Sequence, residues 1–223
     1  MVVGKESGGE EYMSHAMTRR TMLRLAGALV AVSAVRFGSD DRGMVHAEEA
    51  APVVQQEFTR YQGPLGLGYS FEYPTGWSVG KKTVKTHMNE LVMSPAKKSE
   101  GAVRGGGGIV VDPVKINSVS EFGSADAVGN RVIELEKKKD GVSSASLVSA
   151  KELQKDGLTY YELEYVIDTS HGGEKHFLAA STITGKNLYV LTTQARTADF
   201  NASEPALRHV ISSFRVKPQY YTP

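Results

Sequence analysis

"LTYYELEYVIDTSHGGEKHFLAASTITGKNLYVLTTQAR" (residues 158–196) decides the fold. From Leu158 the polarity alternates with a period of two, so Tyr161, Leu163, Tyr165 and Ile167 share one side of an extended strand. His171-Gly172-Gly173 and Gly185-Lys186-Asn187 interrupt the pattern with turn chemistry. Upstream, "SLVSAKELQ" (146–154) alternates too, and Lys155-Asp156-Gly157 joins it to Leu158 as a hairpin signal. Four strands with short connections make an antiparallel meander, each strand long enough to cross a domain.

Working toward the N-terminus, the period changes. Residues 118–139 read as one helix: Phe122, Ala125, Val128, Val132 and Leu135 recur at helical spacing. Ser118 with Glu121 has the spacing of a capping box. Lys137, Lys138 and Lys139 suit the negative end of the dipole, and Asp140-Gly141 ends the helix. Before it, "GIVVDPV" (108–114) reads as a strand and "GAVRGGGG" (101–108) as a flexible loop. No Gly-Lys-Ser/Thr and no helix follow these glycines, so a plain loop is favoured over a phosphate-binding one. "NELVMSP" (89–95) is a weaker strand. In "YQGPLGLGYSFEYPTGW" (61–77) the glycine steps are turns, Tyr69, Phe71 and Tyr73 form one face of a strand, Pro74 stops it, and Trp77 opens another.

Toward the C-terminus, a helix follows Ser203. Its stripe of Leu207, Val210, Ile211 and Phe214 must cover a sheet face, because nothing else remains to bury it. No repeat or linker interrupts residues 58–217. The expectation is a single α+β domain, a central antiparallel β-sheet flanked by helices as an α-β-α sandwich. Residues 48–57 lead in, and 218–223 form a C-terminal tail.

The 223 residues are 40% hydrophobic and 23% charged, with a formal net charge of +1 and no cysteine. That balance argues against a general nucleic-acid binder. The missing cysteines exclude disulfides, thiolate catalysis and Cys-ligated zinc. "TRRTMLRLAGALVAVSAVRFG" (18–38) carries an apolar run from Leu25 to Val35, short of the ~20 residues a bilayer span needs. Arg19, Arg20 and Arg24 precede it, and Val45-His46-Ala47 follows as a small-x-small end. An export signal over residues 1–47, cleaved after Ala47, competes here with a retained helix or anchor; the short run favours the signal. Arg19-Arg20-Thr21-Met22-Leu23 resembles the twin-arginine export signal of bacteria and thylakoids. Glu6, Glu10 and Glu11 do not suit an acid-poor transit segment. Met13 or Met17 is then an alternative start, unless the first residues are truncated or misjoined.

"GGEKHFLAASTITGKNLYVLTTQA" (172–195) resembles the strand-turn-strand of the PsbP family, extrinsic lumenal proteins of photosystem II. "YQGPLGLGYSFEYPTGW" is similar to that family's opening, and "FNASEPALRHVISSFRV" (200–216) to its closing helix. The resemblance implies an antiparallel sheet between helices and a role without catalysis. Such a protein docks peripherally on the lumenal face of photosystem II, beside the oxygen-evolving complex. It stabilises or assists assembly and helps retain calcium and chloride. Assembly of photosystem I is the alternative role. Only a short stretch separates Ala47 from Phe58, which favours a PsbP-like or PsbP-domain paralogue over the major subunit with its long arm. The implied location is the chloroplast thylakoid lumen, with a bacterial periplasm as the variant.

The resemblance also points to site residues. His176 matches a strand histidine associated with divalent-metal binding, with Asp199 the nearest acid to the partner position. No cofactor is expected to be tightly bound; Ca2+ or another divalent metal is the ligand implied. One imidazole and one carboxylate fall short of a dedicated site, and a sheet histidine bonded to its neighbours is the plainer reading. Lys81, Lys82, Lys85, Lys97 and Lys98 form a local cationic excess suited to docking on an acidic face, or a solvated surface. His171 falls in a turn and is expected to be exposed; His87 and His209 have no acid at a meaningful local spacing. Glu162 and Glu164 share a strand face and read as solvated surface rather than as an acid/base pair. No Gly-x-Ser-x-Gly elbow supports a hydrolase. A second class of function, a small-ligand carrier, would place Tyr160, Tyr161, Tyr165 and Tyr189 around a cavity between sheet and long helix.

Overall fold

The computed structural model describes residues 56–81, 87–96 and 102–219. The proposed export signal, with Arg19, Arg20 and Ala47, lies outside them. A seven-stranded antiparallel sheet runs in the order β3 (Trp77–Lys81), β4 (Asn89–Pro95), β5 (Gly106–Pro113), β9 (Asn187–Arg196), β8 (Gly173–Thr184), β7 (Leu158–Thr169), β6 (Val142–Lys155). The expected meander is its β6–β9 half. The register pairs Leu163 with Ala179 and Ala180 with Leu191. β6 is one edge, and two register shifts interrupt its pairing with β7. Such bulges blunt an edge against further strand pairing.

Alternation along β7 to β9 makes both faces of the sheet apolar, so the sheet separates two cores. On one face Tyr161, Leu163, Tyr165, Ile167, Phe177 and Val190 pack under α1 (Ala125–Glu136) through Val128 and Val132. On the other, Tyr160, Leu178, Ala180, Tyr189 and Leu191 pack under α2 (Thr197–Ser213) through Leu207, Val210 and Ile211. Each fully buried large side chain contributes ~1.5–3 kcal/mol. A small sheet of β1 (Phe58–Gln62), β2 (Tyr69–Pro74) and β10 (Arg215–Val216) shares this second layer, in the order β1-β2-β10. Tyr61, Tyr69 and Phe71 stack there at 5.2–6.4 Å between ring centres. The body is thus dominated by sheet, with two helices as partial cover.

Several expectations are corrected. The reading of one helix over 118–139 gives way to a 3₁₀ turn, Val119–Phe122, then a break at Gly123 (φ 102°), then α1 capped by Ser124. Glu121 turns back to accept the Asn117 N–H at 2.8 Å, and Ser118 Oγ accepts from Ser120. The helical spacing persists because the turn packs Val119 and Phe122 into the same core as α1. The glycines of "GAVRGGGG" are not all loop: Gly106 and Gly107 are paired strand opposite Gln194 and Thr193. A Cβ on Gly107 would sit 2.6 Å from the Thr192 carbonyl, so this strand approaches β9 too closely for a side chain. α2 starts before Ser203, because Phe200 is buried and gives the first turns an anchor. Pro205 is tolerated in its interior on the exposed face. The tail is held at its start, where Gln219 donates its backbone N–H to Thr184 Oγ1 at 2.7 Å.

The tyrosine-lined cavity is not formed. Tyr161 and Tyr165 belong to one core, Tyr160 and Tyr189 to the other, and all four are at most 1% exposed. Strand parity divides them, since Tyr160 and Tyr161 are sequence neighbours.

Candidate functional site

β7 presents Glu162 and Glu164 toward α2, on the face opposite Tyr161 and Leu163. The expectation of a solvated carboxylate pair is overturned here, because the flank of α2 covers them. Glu164 Oε1 lies 2.8 Å from His176 Nε2 on β8, and Glu164 Oε2 accepts from Arg208 of α2 at 2.8 Å. Arg208 also donates to Glu204 at 2.6 Å. Glu162 accepts from Lys155 at 2.8 Å. The His176 ring stacks on Phe200, 3.6 Å between centres and 7° from parallel. Burial alone would raise the Glu164 pKa, but the hydrogen bonds from Arg208 and His176 outweigh it and hold the carboxyl below its ordinary range. With Arg208 and His176 both donating to it, this one carboxylate fastens α2 to the sheet.

Asp199 stands in the first turn of α2, where a carboxylate complements the helix dipole. Its Oδ1 accepts from Arg104 at 3.3 Å. His176 and Asp199 therefore each engage a different partner. This donor set does not fit a dedicated divalent metal. His176 Nε2 is spent on Glu164, which leaves at most the Nδ1 lone pair, and arginines already take Glu164 and Asp199. Among the described residues no group of three or more His, Cys, Asp or Glu side chains could hold a metal ion.

Two pairs were invisible in the sequence. His87 Nδ1 lies 2.6 Å from Asp112 Oδ2, and the Met88 N–H donates to Asp112 Oδ1 at 3.2 Å. His209 Nε2 lies 2.7 Å from Glu72 Oε2, with the Phe58 ring tilted 31° against its own at 3.8 Å between centres. Partners 25 and 137 residues apart leave no local spacing to read. The one available signal was Asp112 itself, an acid in an apolar strand. His171 is exposed in its turn, as expected, beside Ser170.

Of the five candidate docking lysines, Lys81 is exposed at the end of β3; Lys82, Lys85, Lys97 and Lys98 lie outside the described residues. β3 and β4 are antiparallel. Lys81 and Ala96, which flank the two groups, consequently mark opposite ends of the sheet.

These features define a sheet-dominated domain with two buried cores, in which Glu164, His176 and Arg208 join sheet to helix. Comparison with known proteins names the class. The PsbP family profile matches residues 56–216; the chain belongs to the PsbP family. It is similar to "PsbP domain-containing protein 2, chloroplastic" of Arabidopsis thaliana, 34% identical over 115 residues, which are 50% of each chain. It is also similar to "PsbP-like protein 1, chloroplastic" of the same plant, at 24% identity over 66% of this chain and 60% of that one. The match thus spans about half to three-fifths of these two relatives. The solution structure of CyanoP from Synechocystis superposes with a TM-score of 0.59 at 22% identity, over 76% of this chain and 98% of CyanoP. That likeness establishes the fold.

Proposed function

We propose that this chain is a PsbP-type accessory protein of the thylakoid lumen, docked peripherally on the lumenal face of photosystem II and acting by contact rather than catalysis. Its role there is to stabilise the complex or assist its assembly. The observation that carries the reading is the PsbP match over residues 56–216, within a fold that superposes on CyanoP. Two relatives named as chloroplastic support the compartment. Any help in calcium or chloride retention would be exercised through the photosystem, since arginines take the two carboxylates nearest His176.

Thylakoid fractionation tests this. The protein should resist protease added outside intact thylakoids, leave the membrane in a high-salt wash, and co-purify with photosystem II before that wash. Protease sensitivity in intact thylakoids would overturn the lumenal reading. Co-purification with photosystem I alone would move the role to that complex.

A further inference from the structure

The antiparallel register gathers one end of the molecule from five separate stretches of chain. The end of β3 (Lys81), the start of β4 (Met88), the exit of β5 (Lys115), the β8–β9 turn (Lys186) and the segment after β10 (Lys217) all meet there. The β1–β2 turn, Gly63 to Gly68, joins them and lifts Leu65 to its apex, fully exposed at 102%. Met88 at this end is 49% exposed, so two of the three exposed large hydrophobics among the described residues lie here.

The Leu65 turn is held rigidly. The Gly63 N–H donates to Tyr69 O at 2.9 Å, and the Leu67 and Gly68 N–H groups both donate to Pro64 O. Tyr189 Oη donates to Leu67 O at 3.0 Å, and Gln219 Nε2 to Gly66 O at 3.2 Å. Beside it, a cleft of about 210 Å³ is lined by Asn117, Leu158, Ile183, Lys186 and Gln219. Lys81, Lys115 and Lys217 are exposed, and the half-buried Lys186 donates to the Lys115 carbonyl at 2.8 Å, so that each keeps its positive charge at this end. Of the acids at this end, Asp112 lies against His87, Asp156 against Arg215, Glu121 accepts the Asn117 N–H, and Glu90 is buried.

We propose that this end is the docking surface, and that its partner is an acidic protein face with an apolar socket for Leu65. An apolar anchor within a ring of cations matches a socket rimmed by carboxylates. A knob preorganised by five hydrogen bonds gains most from a shaped partner, because little freedom remains to be lost on contact. A fluid headgroup surface would reward neither the fixed turn nor the adjoining cleft. The inference rests on the accessory-protein reading above and names the surface that reading requires.

The test uses the full chain as wild type, Leu65→Glu, Lys115→Glu/Lys217→Glu, and Lys151→Glu on exposed β6 as control. Binding is measured to salt-washed photosystem II-enriched thylakoid fragments, and separately to vesicles of phosphatidylglycerol and a neutral galactolipid. Unchanged thermal unfolding confirms that each variant is folded. The expected result is wild-type binding to the fragments and not to the vesicles, a loss of about tenfold or more in both end variants, and little change in the control. Wild-type-like binding by the end variants, or an equal loss in Lys151→Glu, overturns the inference and leaves the accessory reading standing. Vesicle binding abolished by Leu65→Glu overturns it in favour of a lipid surface. Failure of the wild type to bind the fragments overturns the accessory reading and the inference with it.

Discussion

Tyr161 and Tyr165 stand on the same face of β7, enter the same core and differ in one bond. Tyr161 Oη donates to Gly123 O at 2.6 Å, whereas the buried hydroxyl of Tyr165 has no partner among the described residues. Burial, then the nearby Glu136, pushes the Tyr165 phenol well above its ordinary pKa. Removing an unpaired buried hydroxyl relieves a desolvation cost, so Tyr165→Phe should stabilise the protein by ~1 kcal/mol; Tyr161→Phe should cost ~1 kcal/mol. Urea unfolding checks both. Two carboxylates titrate with opposite signs. Burial raises the Glu136 pKa, only partly offset by Lys139, so its folded value exceeds its unfolded one. Its contribution is fully present below the unfolded pKa and is lost as pH rises through the folded one. The Glu164 pKa is lowered, so its contribution is present above the unfolded pKa and is lost as pH falls through the folded one. Between about pH 3 and 7, Glu136→Gln should remove the loss on the rising side, and Glu164→Gln should flatten the acid limb. Unfolding midpoints across that range read both slopes.

At the scale of elements, periodicity carried most of the information and spacing the rest. The β6–β9 strands were legible because each alternates and each junction holds glycine. The interior strand β5 was only partly legible, because glycines that signal a loop locally also serve where two strands crowd. Gly107 is the point of contact, with the Thr192 carbonyl and Met93 Cε both within 2.9 Å of where a Cβ would stand. Gly107→Ala should therefore cost ~1–3 kcal/mol, as overpacking does. Gly80→Ala, on exposed β3 with nothing within 4 Å, should be neutral or slightly stabilising. Chemical denaturation of the pair separates crowding from a general intolerance of glycine substitution. The break between the 3₁₀ turn and α1 was hidden for the opposite reason: a positive φ at Gly123 interrupts the backbone while leaving the apolar stripe continuous.

At the scale of the whole molecule, the C-terminal segment ties distant turns together. Gln219 exchanges hydrogen bonds with Thr184 and donates to Gly66. Deleting the chain from Pro218 onward should cost ~1–2 kcal/mol through these lost bonds. It should also speed amide exchange at Leu67 and Gly68 while leaving β8 protected. Hydrogen-exchange mass spectrometry reads both. The candidate site was less legible than the fold. The sequence singled out His176 and Asp199, but their partners, Glu164 and Arg104, come from other stretches of chain, and the basic end around Lys81 arises only when antiparallel strands align.

By itself, the sequence determined the α+β class, the meander, both apolar helical stripes and the family resemblance, because each rests on periodicity or short-range turn chemistry. Only the tertiary structure decided that the tyrosines divide between two cores, that Glu164 is clamped by His176 and Arg208, and that Leu65 stands among lysines from separate strands. Those arrangements depend on register and on side-chain approach across long sequence separations, and no local pattern records either.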